Sequence, residues 1–186
     1  MVNYRGFVWL TVLCGLYGGL LFGAGAVLAA DLPPAAFFGT FQGSGYAENR
    51  DSLYFGTTVR DLDVVIAPMG SGFSVTWTTV IRGGGDPTKP NKRRKAQTVS
   101  FAPSGQTSVF RGTPSGDPLS GNPYIWARIA GQTLTVYILN ITAGGSYEMQ
   151  SYARTLSGYG MDLVFSRIRD GEPVRTARAK LIKLAN

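Results

Sequence analysis

The sequence predicts an all-β domain: an antiparallel up-and-down meander of about 8–10 strands, closed into a barrel and placed after an N-terminal export segment. Three observations carry this expectation. Short runs rich in Val, Ile, Thr, Phe, Trp and Tyr alternate with clusters of Gly, Pro, Asp, Asn and Ser from Phe37 to the end of the chain. No long 3.6-residue apolar period interrupts them, so no crossover helix is expected and consecutive strands pair as neighbours. A long twisted sheet of this kind closes because closure removes its exposed edges.

The elements follow in order. Phe7 to Ala30 carry no charge, follow a short start containing Arg5, and end on Val27-Leu28-Ala29-Ala30. That is the pattern of a secretory signal, with the mature chain starting at Ala30 or Asp31. The stretch is also long enough to span a bilayer, so a retained anchor is the alternative for residues 1–30. A lipidated cysteine is not expected at Cys14, because the bulky Leu13 precedes it. Residues 31–186 are then one domain, periplasmic or secreted.

The first strand is expected over Phe37 to Gly45, where glycines permit close backbone approach. In Thr57 to Ala67, Leu62, Val64 and Ile66 share one face, and Asp61 and Asp63 the other. Phe73, Val75, Trp77, Thr79 and Ile81 make the inward side of the next strand, completing a hairpin through Pro68 to Gly72. A long loop is expected over Arg82 to Lys95. Shorter strands follow at Ala96 to Phe101 and Thr107 to Arg111, then a loop over Gly112 to Pro123. Tyr124 to Ile129 and Gln132 to Ile141 read as a hairpin turning at Ala130-Gly131. Gly144-Gly145, the Ser157 to Gly160 segment and Asp170-Gly171 punctuate three last runs. Asp170-Gly171 suits a type I′ turn, which requires positive φ at both central residues.

Composition excludes several functions. Histidine is absent from the chain, which removes the usual neutral-pH general base and zinc ligand. Without it, and without a Ser-x-x-Lys motif, a serine hydrolase is not expected. The one cysteine, Cys14, leaves the domain no intramolecular disulfide. No metal or cofactor is expected. The net charge of +7 favours anionic partners.

The meander and the Gly39-Thr40-Phe41 opening resemble calycin-type barrels, the group of lipocalins and avidin-like proteins. Lipocalins usually carry tryptophan in that opening, and their second, arginine-containing motif is missing here. Trp126-Ala127-Arg128-Ile129 and Arg169-Asp170-Gly171-Glu172-Pro173 also resemble stretches of small secreted alphaproteobacterial proteins. The first resemblance implies a ligand-holding barrel; the second implies an envelope location.

Candidate sites follow. Lys89, Lys92, Arg93, Arg94 and Lys95 place five cations in seven residues behind Gly83-Gly84-Gly85, a loop suited to phosphate or carboxylate groups, or equally a solvated loop. Asp61 and Asp63, about 7 Å apart along a strand, have the spacing of a carboxylate pair but no accompanying catalytic pattern. Arg128, Tyr147, Tyr152, Arg154, Arg167 and Arg169 form a further set. Alternation puts Arg167 and Arg169 on the side of Met161, Leu163 and Phe165. If that side is interior, Trp77, Trp126, Tyr147 and Arg167 line a cavity for a small amphipathic ligand, apolar below and anionic at the mouth. If it is not, the aromatics simply fill a core.

The expected function is therefore an exported, non-enzymatic barrel binding a small amphipathic or anionic ligand. The alternative is a solid barrel whose basic loop contacts an envelope partner or an acidic glycan. Nucleic acid is not an expected partner, because the aromatics alternate inward instead of forming a platform beside the cations. Membrane contact is expected only if residues 1–30 are retained.

Overall fold

The computed structural model describes residues 30–49, 57–82 and 92–185. The N-terminal segment expected as a signal, Lys89 and the triglycine lie outside the described residues.

Ten strands follow one another: β1 (Gly39–Asn49), β2 (Thr57–Met69), β3 (Gly72–Arg82), β4 (Lys92–Pro103), β5 (Val109–Thr113), β6 (Tyr124–Ala130), β7 (Thr133–Ile141), β8 (Tyr147–Ser157), β9 (Gly160–Arg169) and β10 (Glu172–Ala185). Each pairs antiparallel with its sequence neighbours, and β1 pairs with β10 to close the barrel. Closure runs through pairs such as Gly43 with Leu181, Gly45 with Ala179 and Ala47 with Ala177. The up-and-down meander expected from the sequence is the architecture of the molecule.

Small residues make the closing seam fit. A Cβ at Gly43 would collide with the Lys180 carbonyl oxygen, and one at Gly45 with that of Arg178. Above them the inward row continues as Ala47, faced by Ala177 and Ala179. This sector of wall therefore projects almost nothing into the lumen.

The two ends of the barrel differ. At the end carrying the β2–β3, β4–β5, β6–β7 and β8–β9 turns, the lumen is filled by Phe41, Ile66, Phe73, Phe101, Met161 and Leu181, all buried. Phe73 stacks on Phe101 at 5.1 Å and meets Phe110 edge-on at 5.0 Å, geometries that aromatic pairs prefer. The segment before β1 seals this end. A 3-10 helix over Pro34–Phe37 inserts the fully buried Phe37 into the core. Leu32 donates its amide to the Gly131 carbonyl at 3.0 Å, and the Gly131 amide donates to Asp31 Oδ1 at 2.7 Å.

Several expected boundaries move. Phe37 belongs to the 3-10 helix, and β1 starts at Gly39. The stretch Lys92 to Lys95, expected within a loop, is the start of β4, paired with Arg82 to Thr79 of β3. Ladder pairing with β3 carries the hairpin through this charged stretch, because the backbone bonds do not depend on the side chains it bears. The β6–β7 turn falls on Gly131-Gln132 rather than Ala130-Gly131, since Gly131 is the residue with positive φ (55°). Asp170 and Gly171 both have positive φ, 49° and 87°, as a type I′ turn requires.

The outward rows mix polar and apolar residues. Asp63, Thr98, Arg128, Asp162 and Lys180 occupy outward positions beside exposed apolar residues such as Val65, Tyr124 and Ile182. Among the described residues no helix is long and apolar enough to cross a membrane.

Candidate functional site

At the opposite end the barrel is hollow. A cavity of about 830 Å³ opens between the ends of β1, β3 and β9 and the starts of β2, β4, β8 and β10. Its lining includes Leu62, Trp77, Gln150, Tyr152, Leu163 and Phe165, with Gly45, Ala47 and Ala177 on the bare side. Six arginines also line it: Arg60, Arg94, Arg154, Arg167, Arg175 and Arg178. The small-residue seam leaves the space, and the arginine rows give it a positive wall.

The floor is built across the lumen. Trp77 reaches from β3 to meet Tyr152 of β8, ring centroids 5.2 Å apart, and Tyr152 packs on Phe165 of β9 at 4.8 Å. One residue pair deeper on β8, the Arg154 guanidinium lies 5.4 Å from the Trp77 ring and 5.6 Å from the Tyr152 ring. Arg154 is fully buried. Its Nη1 donates to the Tyr152 carbonyl at 3.3 Å, while Nε and Nη2 have no hydrogen-bond partner among the described residues. Burial lowers the Arg154 pKa to about 10, with Tyr152 opposing, so the group still carries its charge at neutral pH. Aromatic faces stabilise that charge only in part.

Above the floor, the inward row of β8 forms a polar ladder. The Tyr152 hydroxyl donates to Gln150 Oε1 at 3.0 Å, and Gln150 Nε2 donates to Glu148 Oε1 at 2.8 Å. Glu148 Oε2 then meets Arg169 Nη2 at 3.2 Å and Arg167 Nε at 3.6 Å. Burial raises the Tyr152 pKa, partly offset by Arg154, so its hydroxyl stays protonated. Arg60 is lowered by burial and then by Arg175, which shows how closely the cations crowd. Arg175 and Arg167 are direct cross-strand partners, an arrangement of like charges that is unfavourable by itself.

Two of the four expected ligand contacts, Trp77 and Arg167, come together in the cavity. Two do not. Trp126 lies on the outer face, stacked on Tyr137 at 4.9 Å and against Tyr124 at 5.6 Å, because Ile125 and Ala127 take the inward positions of β6. Tyr147 is 40% exposed, since the inward row of β8 starts at Glu148. Both placements correct the expected register. Asp61 and Asp63 face away from Leu62, Val64 and Ile66 as expected, so the carboxylate pair stands outside the lumen. Of the basic cluster, Arg94 and Lys95 are exposed and reach the cavity rim; Lys92 and Arg93 belong to β4. Arg169 lies at the mouth, its side chain half exposed.

Arg60, Gln150 and Arg175 are missed by the sequence reading. Their signal was the alternation itself: Arg60 continues the row of Leu62, Val64 and Ile66, and Arg175 continues Ala177, Ala179 and Leu181. An inward arginine reads as an outward one unless the apolar row is extended past its last hydrophobe. Among the described residues no cluster of Cys, Asp or Glu side chains offers a metal its ligands.

The molecule is thus a closed ten-stranded barrel with one solid end and one cationic, hollow end. No protein-family model matches the chain, and no curated protein matches its sequence.

Proposed function

We propose that this is an exported, non-enzymatic carrier or receptor barrel that holds a small amphipathic anion in its lumen. One observation carries the reading: a charged guanidinium, Arg154, is fully buried beside the cavity with two nitrogens lacking partners. Uncompensated buried charge is strongly unfavourable, and perturbed groups of this kind cluster at functional sites. The cavity volume falls within the range that encloses a drug-sized molecule. Trp77, Leu163 and Phe165 supply apolar wall, and the arginines supply the counter-charge.

The closed up-and-down barrel is the architecture that calycin-type proteins use to hold ligands, although lipocalins have eight strands and this barrel has ten. The uncharged stretch Phe7 to Ala30 supports export. Arg94 and Lys95 at the rim add a positive field that draws anions toward the mouth.

Native mass spectrometry of the protein purified from its own cell envelope tests this reading. The expected result is a fraction carrying a small acidic molecule that is released when the barrel unfolds. Repeatedly empty protein that also fails to bind any amphipathic anion overturns it.

A further inference from the structure

The notion of an apolar base with the anion held at the mouth meets a difficulty in the order of residues down the lumen. The deepest polar group of the cavity is a cation, Arg154, and it sits below the Trp77–Tyr152 contact rather than above it. The two nitrogens without partners are not a random pair. Nη1 is engaged by the Tyr152 carbonyl, and Nε with Nη2 form the opposite, side-on edge of the guanidinium. On that edge two N–H bonds run parallel, spaced to meet both oxygens of one carboxylate or phosphate.

We propose, resting on the lumen-binding reading above, that the ligand binds head first, its two-oxygen anionic group seated side-on on the Nε–Nη2 edge of Arg154. The apolar body then lies toward the mouth against Trp77 and Phe165, one residue pair above Arg154 and its cross-strand partner Leu163. Arg154 has no exposed surface, so its aromatic cover must part. Tyr152 is the member of that cover bordering the hollow region, and it is the one that must swing aside. Its hydroxyl is tethered to Gln150, a flexible side chain in a hollow region, whereas Trp77 is 8% exposed and packed in the core. Swinging Tyr152 toward the lumen uncovers the guanidinium edge and leaves its ring free to stack on the ligand body. Carboxylate and phosphate share the chemistry of this seat.

The test uses protein purified from its own envelope and freed of ligand, titrated by calorimetry with phenylbutanoate, phenylbutyl phosphate and the uncharged phenylbutanol. The expected result is that at least one anion binds and the alcohol binds about tenfold or more weakly, because only an anion pairs with the fork. Whichever anion binds more tightly identifies the head group. Arg154→Lys keeps a charge but lacks the fork, so it is expected to lose about tenfold in affinity. Arg167→Gln at the mouth is expected to lose only about threefold, with the loss shrinking in salt. Tyr152→Ala should speed association, because the cover is gone.

Anion binding that survives Arg154→Lys and Arg154→Gln unchanged, or that falls further with Arg167→Gln, overturns the head-first seat while leaving lumen binding intact. Equal binding of alcohol and anions does the same. Failure of all three probes, together with empty protein in native mass spectra, overturns the lumen reading itself. Cooperative urea unfolding of each variant shows that a lost signal is not a lost fold.

Discussion

Replacing Arg154 with methionine is expected to make the ligand-free barrel more stable and to remove its affinity for anions. Burial lowers the Arg154 pKa to about 10, and a depression of that size corresponds to roughly 3 kcal/mol of disfavoured charge. The sign follows from linkage. The unfolded chain holds this proton more tightly than the folded one, so at neutral pH the full penalty is present and it is relieved only above pH 10. Methionine removes it at every pH. Against this stand the bond to the Tyr152 carbonyl, about 1 kcal/mol, and the contacts with the Trp77 and Tyr152 rings, about another 1 kcal/mol. Methionine follows the path of the arginine stem and fills most of its volume. The net gain is about 1 kcal/mol, which raises the melting temperature by about 2–4 °C in a domain of this size. Urea titration at neutral pH, with calorimetric titration of the same preparation, measures both halves. A loss of about 2 kcal/mol or more with anion binding retained would refute the reasoning, because it would make Arg154 a structural prop whose charge is already satisfied.

Three further expectations follow from the same geometry. Glu148→Gln removes the carboxylate beside Arg167 and Arg169 and is expected to tighten anion binding a few-fold at low salt, with the gain fading as salt rises; unchanged affinity would place the bound charge away from β8. Gly45→Val puts a side chain against the Arg178 carbonyl at the β1–β10 seam and is expected to lower stability by about 1–3 kcal/mol, read as a shift in the urea midpoint; a neutral result would mean the seam is loose. The Asp31 carboxyl is held below its usual range by the Gly131 amide first and the Ser108 hydroxyl second. Its contribution is therefore fully present above the ordinary carboxylate range and is lost as pH falls through its lowered folded value. The protection factors of the Leu32 and Gly131 amides, corrected for intrinsic exchange, should fall on acidification below the ordinary carboxylate range; in Asp31→Asn they should be low already at neutral pH.

Much of the barrel is legible from local chemistry. The row Phe73, Val75, Trp77 announces its inward face, and Asp170-Gly171 announces its turn, because both signals lie within a few residues of each other. The candidate site was legible only in part. Arg167 shares the parity of Met161, Leu163 and Phe165 on β9 and follows them inward, whereas Trp126 and Tyr147 stand one residue out of the inward register, and a shift of one residue reverses every side chain. The cluster Lys92 to Lys95 hid a strand start because its pairing partner, Arg82 to Thr79, supplies the ladder from another run of sequence.

The all-β class, the order of hairpins, the lack of histidine chemistry and the positive charge can be read from the chain alone, since each depends on composition or on spacing within one strand. That one end of the barrel is solid and the other hollow is set by packing across the ring. That division depends on residues far apart in the chain: the bare seam of Gly43, Gly45, Ala177 and Ala179 opens space that Trp77 and Tyr152 floor from opposite walls. The burial of Arg154 arises the same way. No local pattern marks an arginine as buried, because what removes it from water is a tryptophan five strands away around the ring.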